Sequence, residues 1–176
     1  LNVVRVYQTR DYSWTGQVRE YGDDCYGAYF DRTGKLATAS DDGFIRLYST
    51  GTDGSIRLIK KRTAMGGQHP FTVKFSPDSS RLAVGFYDST KVEVLDAADL
   101  RPLLTPDSRG INNGNLFKLA WSSDGSTLYA GGQAHDENNV RFIRAWAGGG
   151  SGSHRDINAA ANTILDILPL RNGGIT

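Results

Sequence analysis

Residues 71–96 read FTVKFSPDSSRLAVGFYDSTKVEVLD, and this stretch combines two short strands joined by a tight turn with a third strand. Residues 71–75 alternate between apolar and polar, as a half-buried strand does. The next residues, Ser76-Pro77-Asp78-Ser79, favour a turn because proline presets φ and the aspartate and serines bond their own backbone. Residues 82–85 form a short apolar run, and residues 91–95 alternate again. The stretch therefore predicts three consecutive strands.

The same order of strand, turn and strand recurs on both sides of this stretch. The copies are AYFDRTGKLATAS from Ala28, VKFSPDSSRLAVG from Val73, LAWSSDGSTLYAG from Leu119 and ILPLRNGGIT from Ile167. An apolar residue follows each turn with spacings of 46, 46 and 47 residues, at Leu36, Leu82, Leu128 and Ile175. A fixed period in this range, with four strands per unit, is typical of propeller blades. Small residues in the second strands indicate a close approach of neighbouring sheets: Ala37, Ala39, Ala83, Gly85, Ala130 and Gly131.

The chain resembles a WD-repeat β-propeller. The segments that carry the resemblance are FSPDSSRLAVG with KVEVLDAADL, WSSDGSTLYAGG with RFIRAWAGGG, and FDRTGKLATASDDGFIRLYST. The Trp-Asp pair that ends the third strand in this family is replaced by Tyr48-Ser49, Leu95-Asp96 and Trp146-Ala147, and the Gly-His pair is absent. The buried polar network of the family therefore does not carry over, and we expect the blades to depend mostly on apolar packing. The last unit and the segment before it read LYAGGQAHDENNVRFIRAWAGGGSGSHRDINAAANTILDILPLRNGGIT. They also resemble propeller segments that are attached to caspase-like proteases in bacteria.

The repeats and the resemblance predict an all-β fold, a WD-repeat-like β-propeller segment of three full four-stranded blades with partial blades at both ends. We expect one domain over 1–176, with a partial blade at 1–20, blades at 21–62, 63–106 and 107–158, and a partial blade at 159–176. Within the last two units, Gly148 to Ser153 forms the turn before an outer strand, and Thr163 to Leu168 forms a final first strand. The chain is then either a piece of a larger propeller or assembly, or a small ring closed by its own two ends.

Composition excludes several classes of protein. The chain has 176 residues, 39% hydrophobic and 22% charged, which is ordinary for a soluble globular protein. A formal net charge of +1 gives no field that would attract nucleic acid or an acidic surface, and no apolar run is long enough to span a membrane. Cys25 is the single cysteine, so no disulfide framework is expected. The first residue is not methionine, so any signal peptide would precede this sequence, and the sequence assigns no compartment.

Side chains with catalytic or metal-binding chemistry are scattered along the chain. The three histidines, His69, His135 and His154, lie in different repeats without the spacing of metal ligands, so we expect neither a metal nor a cofactor. The polar residues of the predicted innermost strands, together with two tyrosines, are Tyr26, Tyr29, Thr72, Lys74, Lys118 and Asp166. They are few for an active site, and no catalytic residue is assigned. Core packing explains the three tryptophans, Trp14, Trp121 and Trp146.

The function that the sequence favours is binding, because a rigid propeller presents loops and loops usually carry specificity. By resemblance to the WD-repeat family, the expected partners are proteins or peptides, and the chain is a non-catalytic scaffold or sensor within a larger protein. Self-association or a complementary propeller fragment is also expected. The loops before each first strand and after each second strand supply the candidate contact residues: Tyr21, Asp41, Asp42, Gln68, His69, Tyr87, Asp88, Asn112, Asn113, His135 and Asp136. Ordinary loop residues have the same composition, so a purely structural role for them stays open.

The sequence leaves two alternative functions open. One is an enzyme with an active site in the propeller channel, which would require the innermost polar residues to converge in a pocket. The other is a structural or regulatory domain that gates a fused caspase-like protease. Fold alone does not decide between them.

Overall fold

The computed structural model describes residues 2–170 and 174–176. In these residues the chain forms fourteen strands in four antiparallel sheets, and no α-helix occurs among them. The N-terminal sheet has two strands, β1 (Val4–Tyr7) and β2 (Trp14–Val18), and the other three sheets have four strands each. The sequence prediction of an all-β, repeat-like architecture is confirmed.

Each four-stranded sheet is a simple meander in chain order. The first sheet contains β3 (Cys25–Phe30), β4 (Leu36–Ser40), β5 (Phe44–Thr50) and β6 (Ile56–Thr63). The second sheet contains β7 (Pro70–Phe75), β8 (Arg81–Phe86), β9 (Val92–Asp96) and β10 (Pro102–Leu104). The third sheet contains β11 (Lys118–Trp121), β12 (Thr127–Gly131), β13 (Arg141–Ala147) and β14 (His154–Ala160).

The three four-stranded sheets share one register. The apolar residue after the first turn lies opposite a large apolar or aromatic residue of the third strand, in the pairs Leu36–Tyr48, Leu82–Leu95 and Leu128–Trp146. Two residues along the strands, the opposed pairs are Thr38–Arg46, Val84–Glu93 and Ala130–Arg144. The 46-residue spacing in the sequence therefore corresponds to an equivalent position in three successive sheets.

Neighbouring sheets pack face to face through apolar side chains. Ile45 and Leu47 of the first sheet belong to one buried cluster with Val84 and Phe86 of the second. A second buried cluster joins the second sheet to the third, and Trp146 is its largest fully buried member. The opposite face of the third sheet is covered by the chain's last segment, because Ile164 and Ile167 belong to one cluster with Tyr129 and Ile143. The sheets are thus stacked in chain order.

Small residues in the second strands permit this close stacking. A Cβ atom added at Gly85 would lie 2.9 Å from the backbone oxygens of Leu116 and Phe117, on the chain that leads into β11. A Cβ atom at Gly131 would lie 3.1 Å from Cδ1 of Ile164. Backbone cannot yield to a side chain at such distances, so the expected close approach of neighbouring sheets is confirmed at Gly85.

The glycine-rich segment lies where the sequence predicted a turn. Gly148–Gly150 forms a short 3₁₀ turn between β13 and β14, and all three glycines have positive φ, at 60°, 62° and 106°. Residues with a Cβ rarely adopt that region, which explains the run of glycines. The Gly149 N–H donates to the Ser126 carbonyl at 2.7 Å, so the segment is joined to the β11–β12 turn.

Two expectations about the ends of the chain are wrong. Residues 163–168 do not form a strand; an isolated bridge pairs Pro169 with Ile175 instead. The Ile164 N–H donates to the Gly132 carbonyl at 3.0 Å, and Ile164 and Ile167 pack on the third sheet, so this segment covers the face of a sheet instead of extending a ladder. Trp14 was expected in the core but is 59% exposed, because it lies on the two-stranded sheet. The other two tryptophans, Trp121 and Trp146, are buried as expected.

The packing is also less purely apolar than expected. A charged residue of the third strand is buried in every four-stranded sheet, and each has an ionic partner: Arg46 with Asp42, Glu93 with Arg62, and Arg144 with Asp156. A buried charge is tolerated only with such a partner and further hydrogen bonds. The expectation of mostly apolar packing did not include this layer of six charged residues.

Candidate functional site

The first strands of the three larger sheets lie side by side, with β7 between β3 and β11. Their N-terminal ends bring together one aromatic ring from each strand or its entrance. Tyr26 stacks on Phe71 with centroids 4.9 Å apart and 17° between the rings, and Phe117 meets the Phe71 edge at 5.2 Å and 72°. Tyr87, just after β8, lies 5.6 Å from Phe71 and 5.7 Å from Phe117. Such pairs add to the free energy of burial, so the rings form a firm cluster.

The cluster is open to solvent on one side. Tyr26 is 54% exposed and Tyr87 is 50% exposed, whereas Phe117 is buried beneath them. A cavity of about 450 Å³ is lined by Tyr26, Asp41, His69, Phe71 and Tyr87, and we call these five residues the aromatic pocket. Half-exposed aromatic rings around a concavity are typical of interaction sites.

A histidine and a carboxylate form the polar wall of the aromatic pocket. His69 Nδ1 lies 2.7 Å from Asp41 Oδ1. This hydrogen bond is the main cause that raises the pKa of His69, and the charges of Asp41, Asp88 and Asp23 act in the same direction. The protonated form of His69 is therefore stabilised, and its charge can vary near neutral pH.

Backbone hydrogen bonds fix both members of this pair. The carboxylate of Asp88 accepts hydrogen bonds from the N–H groups of Gln68 and His69 at 2.8 and 3.1 Å, and the Tyr87 N–H donates to the His69 carbonyl at 3.0 Å. The Asp41 N–H donates to the Asp24 carbonyl at 2.8 Å. The loop before β7 and the connection after β8 are thus held together, and the pocket is rigid on this side.

The structure distributes the eleven loop residues singled out from the sequence among three environments. Asp41, His69 and Tyr87 line the aromatic pocket, and Gln68 and Asp88 lie directly behind it. Tyr21 and Asp42 point inward: the Tyr21 hydroxyl donates to Thr38 Oγ1 at 3.1 Å, and Asp42 pairs with the buried Arg46. The remaining four lie in connections of the third sheet. Asn112 and Asn113 precede β11, and His135 and Asp136 lie between β12 and β13.

Those four residues mainly bond one another and their own turns. Asn113 Nδ2 donates to the His135 carbonyl at 3.0 Å, and the His135 N–H donates back to Asn113 Oδ1 at 2.9 Å. Asp136 accepts from the N–H groups of Asn138 and Val140, both at 2.9 Å. Asn112 is exposed beside them. These hydrogen bonds hold two loops together, and they already occupy most of the polar groups that could bind a ligand.

The sequence contained a signal for the aromatic cluster that loop composition did not show. Tyr26, Phe71 and Phe117 each lie two residues before the aligned starts of the three repeats, at Ala28, Val73 and Leu119. An aromatic residue at one repeat position in three successive sheets must converge where the first strands adjoin. Alternation alone assigned Phe71 to an ordinary half-buried strand and therefore missed the cluster.

A second cavity lies farther along the same first strands. It has a volume of about 140 Å³, and its lining includes all six polar or tyrosine residues singled out on the innermost strands. Burial lowers the pKa of Lys74, the Asp166 charge acts against this, and the Lys118 charge acts with it. Lys74 Nζ also lies 4.2 Å from the centroid of the Tyr29 ring.

Comparison with known protein families gives no match: no family model matches the chain. Among the described residues, no group of three or more His, Cys, Asp or Glu side chains is placed to hold a metal ion. No helix in the described part of the chain is long and apolar enough to cross a membrane.

Proposed function

We propose that the chain is a WD-repeat-like β-propeller segment with three full blades, the three four-stranded sheets, and partial blades at both ends. Three observations support it: each sheet is a four-stranded meander, the sheets share one register, and they stack in chain order with their first strands adjoining. Propeller blades have this arrangement around a central axis.

The proposed role of this segment is a non-catalytic protein- or peptide-binding module, a scaffold or sensor. The observation that carries it is the aromatic pocket, in which half-exposed Tyr26 and Tyr87 flank Phe71 beside the His69–Asp41 pair. Rigid aromatic side chains lose little conformational entropy on binding and supply large contact areas, which is why they dominate recognition surfaces.

Selection from a random heptapeptide library displayed on phage tests this role. We expect enrichment of peptides that bind the wild-type chain and lose binding to Tyr87→Ala. Tyr7→Ala is the matched control, because Tyr7 is also 50% exposed but lies on the N-terminal sheet. A selection that yields no binder, or binders indifferent to Tyr87→Ala, would contradict the proposal.

We further propose that the chain self-associates through its N-terminal sheet. In the described residues, β1 has β2 as its one hydrogen-bonded neighbour. The sheet also presents two aromatic rings to solvent, Tyr7 at 50% and Trp14 at 59% exposed. Native mass spectrometry should then detect dimers or larger species, and a single species at 19.2 kDa would contradict self-association.

An active site in the channel is the second candidate function, and the 140 Å³ cavity favours it. An amine whose pKa is lowered by burial is a better nucleophile at neutral pH, and Lys74 is such an amine. Reductive methylation with formaldehyde, followed by peptide mapping, compares its reactivity with that of exposed Lys60. Preferential labelling of Lys74 at pH 7 would support this candidate, and slower labelling than Lys60 would count against it.

A further inference from the structure

Three carboxylates lie in or beside the aromatic pocket. Asp41 lines it, its N–H donates to the Asp24 carbonyl at 2.8 Å, and Asp23 and Asp24 directly precede β3, which carries Tyr26. Their combined charge acts on the Tyr26 hydroxyl: the charge of Asp24, followed by burial and the charges of Asp41 and Asp23, raises the pKa of Tyr26. The rim of the pocket therefore has a negative potential toward a ligand.

The rings below this rim also favour positive charge. The π face of an aromatic ring is electron-rich and attracts an ammonium or guanidinium group within about 6 Å of its centroid. The molecule already uses this attraction on the inner side of the cluster, where Lys118 Nζ lies 5.3 Å from the Phe71 centroid and 5.5 Å from that of Phe117. On the outer side, the half-exposed rings of Tyr26 and Tyr87 have no cation against them among the described contacts.

We propose that the aromatic pocket binds the cationic side chain of an arginine or lysine residue in a basic peptide segment. This inference rests on the proposed peptide-binding function and specifies its ligand. Tyr26 and Tyr87 provide π faces for the cation, and the second oxygen of Asp41, which does not bond His69, accepts a hydrogen bond from it. A glutamate or aspartate side chain would instead meet the carboxylates of Asp23, Asp24 and Asp41, and repulsion would exclude it.

His69 makes this site sensitive to pH. The charged groups that face its ring are Asp41 across the 2.7 Å contact, Asp88 from the connection after β8, and Asp23 from the loop before β3. When His69 is protonated, its charge neutralises part of this field and competes with an incoming cation for Asp41. Binding of a basic peptide therefore strengthens as pH rises and His69 loses its proton.

The composition of the peptides selected on phage is the first test. We expect arginine or lysine in the core of the enriched sequences, with binding lost in both Tyr87→Ala and Asp41→Asn and kept in Tyr7→Ala. Enriched peptides without basic residues that still depend on Tyr87 would overturn the inference and leave the peptide-binding function intact. A selection without Tyr87-dependent binders would overturn both.

The second test measures the contribution of the positive charge, with a synthetic copy of the most enriched peptide. Replacement of its central arginine by citrulline keeps the shape and removes the charge, and we expect affinity measured by isothermal titration calorimetry to fall about tenfold. With an acetylated peptide free of other titrating groups, affinity should rise about two- to fivefold from pH 6 to pH 9. His69→Gln should abolish this rise. Equal affinity for citrulline and arginine would overturn the inference, as would an unchanged pH profile in His69→Gln.

Discussion

The N-terminal sheet and the three four-stranded sheets carry a charged residue at the same repeat position. The burial of this residue differs between the two kinds of sheet. On β1, Arg5 lies two residues before Tyr7, and Tyr7 is paired with Trp14 on β2. On β13, Arg144 likewise lies two residues before Trp146, and Trp146 is paired with His154 on β14. The charged side chains of the complete sheets are buried and ion-paired, whereas Arg5 is exposed.

The source of the partners explains this difference. Besides their ionic partners, the buried arginines bond backbone that precedes the first strand of their own sheet: Arg46 donates to the Glu20 carbonyl at 2.7 Å and Arg144 donates to the Arg109 carbonyl at 2.8 Å. Glu93 pairs at 3.1 Å with Arg62, which lies on β6 of the neighbouring sheet. In the described residues the N-terminal sheet contains β1 and β2 alone. The same strand pattern is therefore buried where neighbouring segments cover it and supply partners, and exposed on the two-stranded sheet.

The largest difference between the two regions should appear on removal of a buried ring. Phe86 in β8 is fully buried, and its ring lies so close to Gly66 and Gly67 that a Cβ atom at either would meet it at 3.0 Å or less. Phe86→Ala should lower the free energy of unfolding by about 3–5 kcal/mol, because it removes apolar contact and leaves a cavity. Urea denaturation followed by circular dichroism measures this. A loss under about 1 kcal/mol would mean that the second sheet is not the packed centre described above.

Disruption of the buried ion pair between Arg46 and Asp42 should cause the second largest loss of stability. Asp42→Asn keeps one acceptor for Arg46 but removes the charge that balances the guanidinium, so we expect a loss of about 1.5–3 kcal/mol in the same assay. The matched control is Arg5→Gln at the exposed repeat position, with an expected change within about 0.5 kcal/mol. Equal losses in the two variants would show that Arg5 is also paired in solution, and would remove the contrast between the sheets.

Acid should weaken the complete sheets through the same carboxylate. Burial alone would raise the pKa of Asp42, but hydrogen bonds from Arg46 and from the Gly22 N–H lower it to about 2. Because the folded-state pKa lies below the unfolded value of 3.8, the stabilisation is present above about pH 4 and is lost as pH falls toward 2. Urea midpoints at pH 5, 4, 3 and 2 measure this. Asp42→Asn should flatten the profile, and an identical slope in the variant would refute the assignment to Asp42.

The sequence predicted the sheets well and the site only in part, and the reason is physical. Leu36, Leu82 and Leu128 mark a repeat, and stacking of equivalent units follows from it because each unit must cover its apolar face. Loop composition singled out Asp41, His69 and Tyr87, which the structure brings together around one cavity. It did not separate Asp41, which lines the pocket, from Asp42, which turns inward to Arg46, since adjacent residues differ only in where the turn points them.

The local sequence pattern also could not predict features that depend on contacts between distant segments of the chain. Burial of Arg46, Glu93 and Arg144 depends on loops and strands of other segments, and polar residues on a strand that alternates are ordinarily assigned to solvent. The aromatic pocket likewise requires β3, β7 and β11 to adjoin. Both features become visible when equivalent repeat positions are compared side by side, which shows one charged column and one aromatic column.

Trp14 provides the smallest expected effect and the sharpest test of the N-terminal sheet. Its ring is 59% exposed on β2, so Trp14→Ala should change the free energy of unfolding of a monomer by no more than about 0.5 kcal/mol. The measurement is made at several protein concentrations, since self-association through this sheet would cover the ring. A loss of more than about 1 kcal/mol that grows with concentration would show that the sheet is covered in solution. A small loss at every concentration would mean that Trp14 remains exposed and would contradict self-association through this sheet.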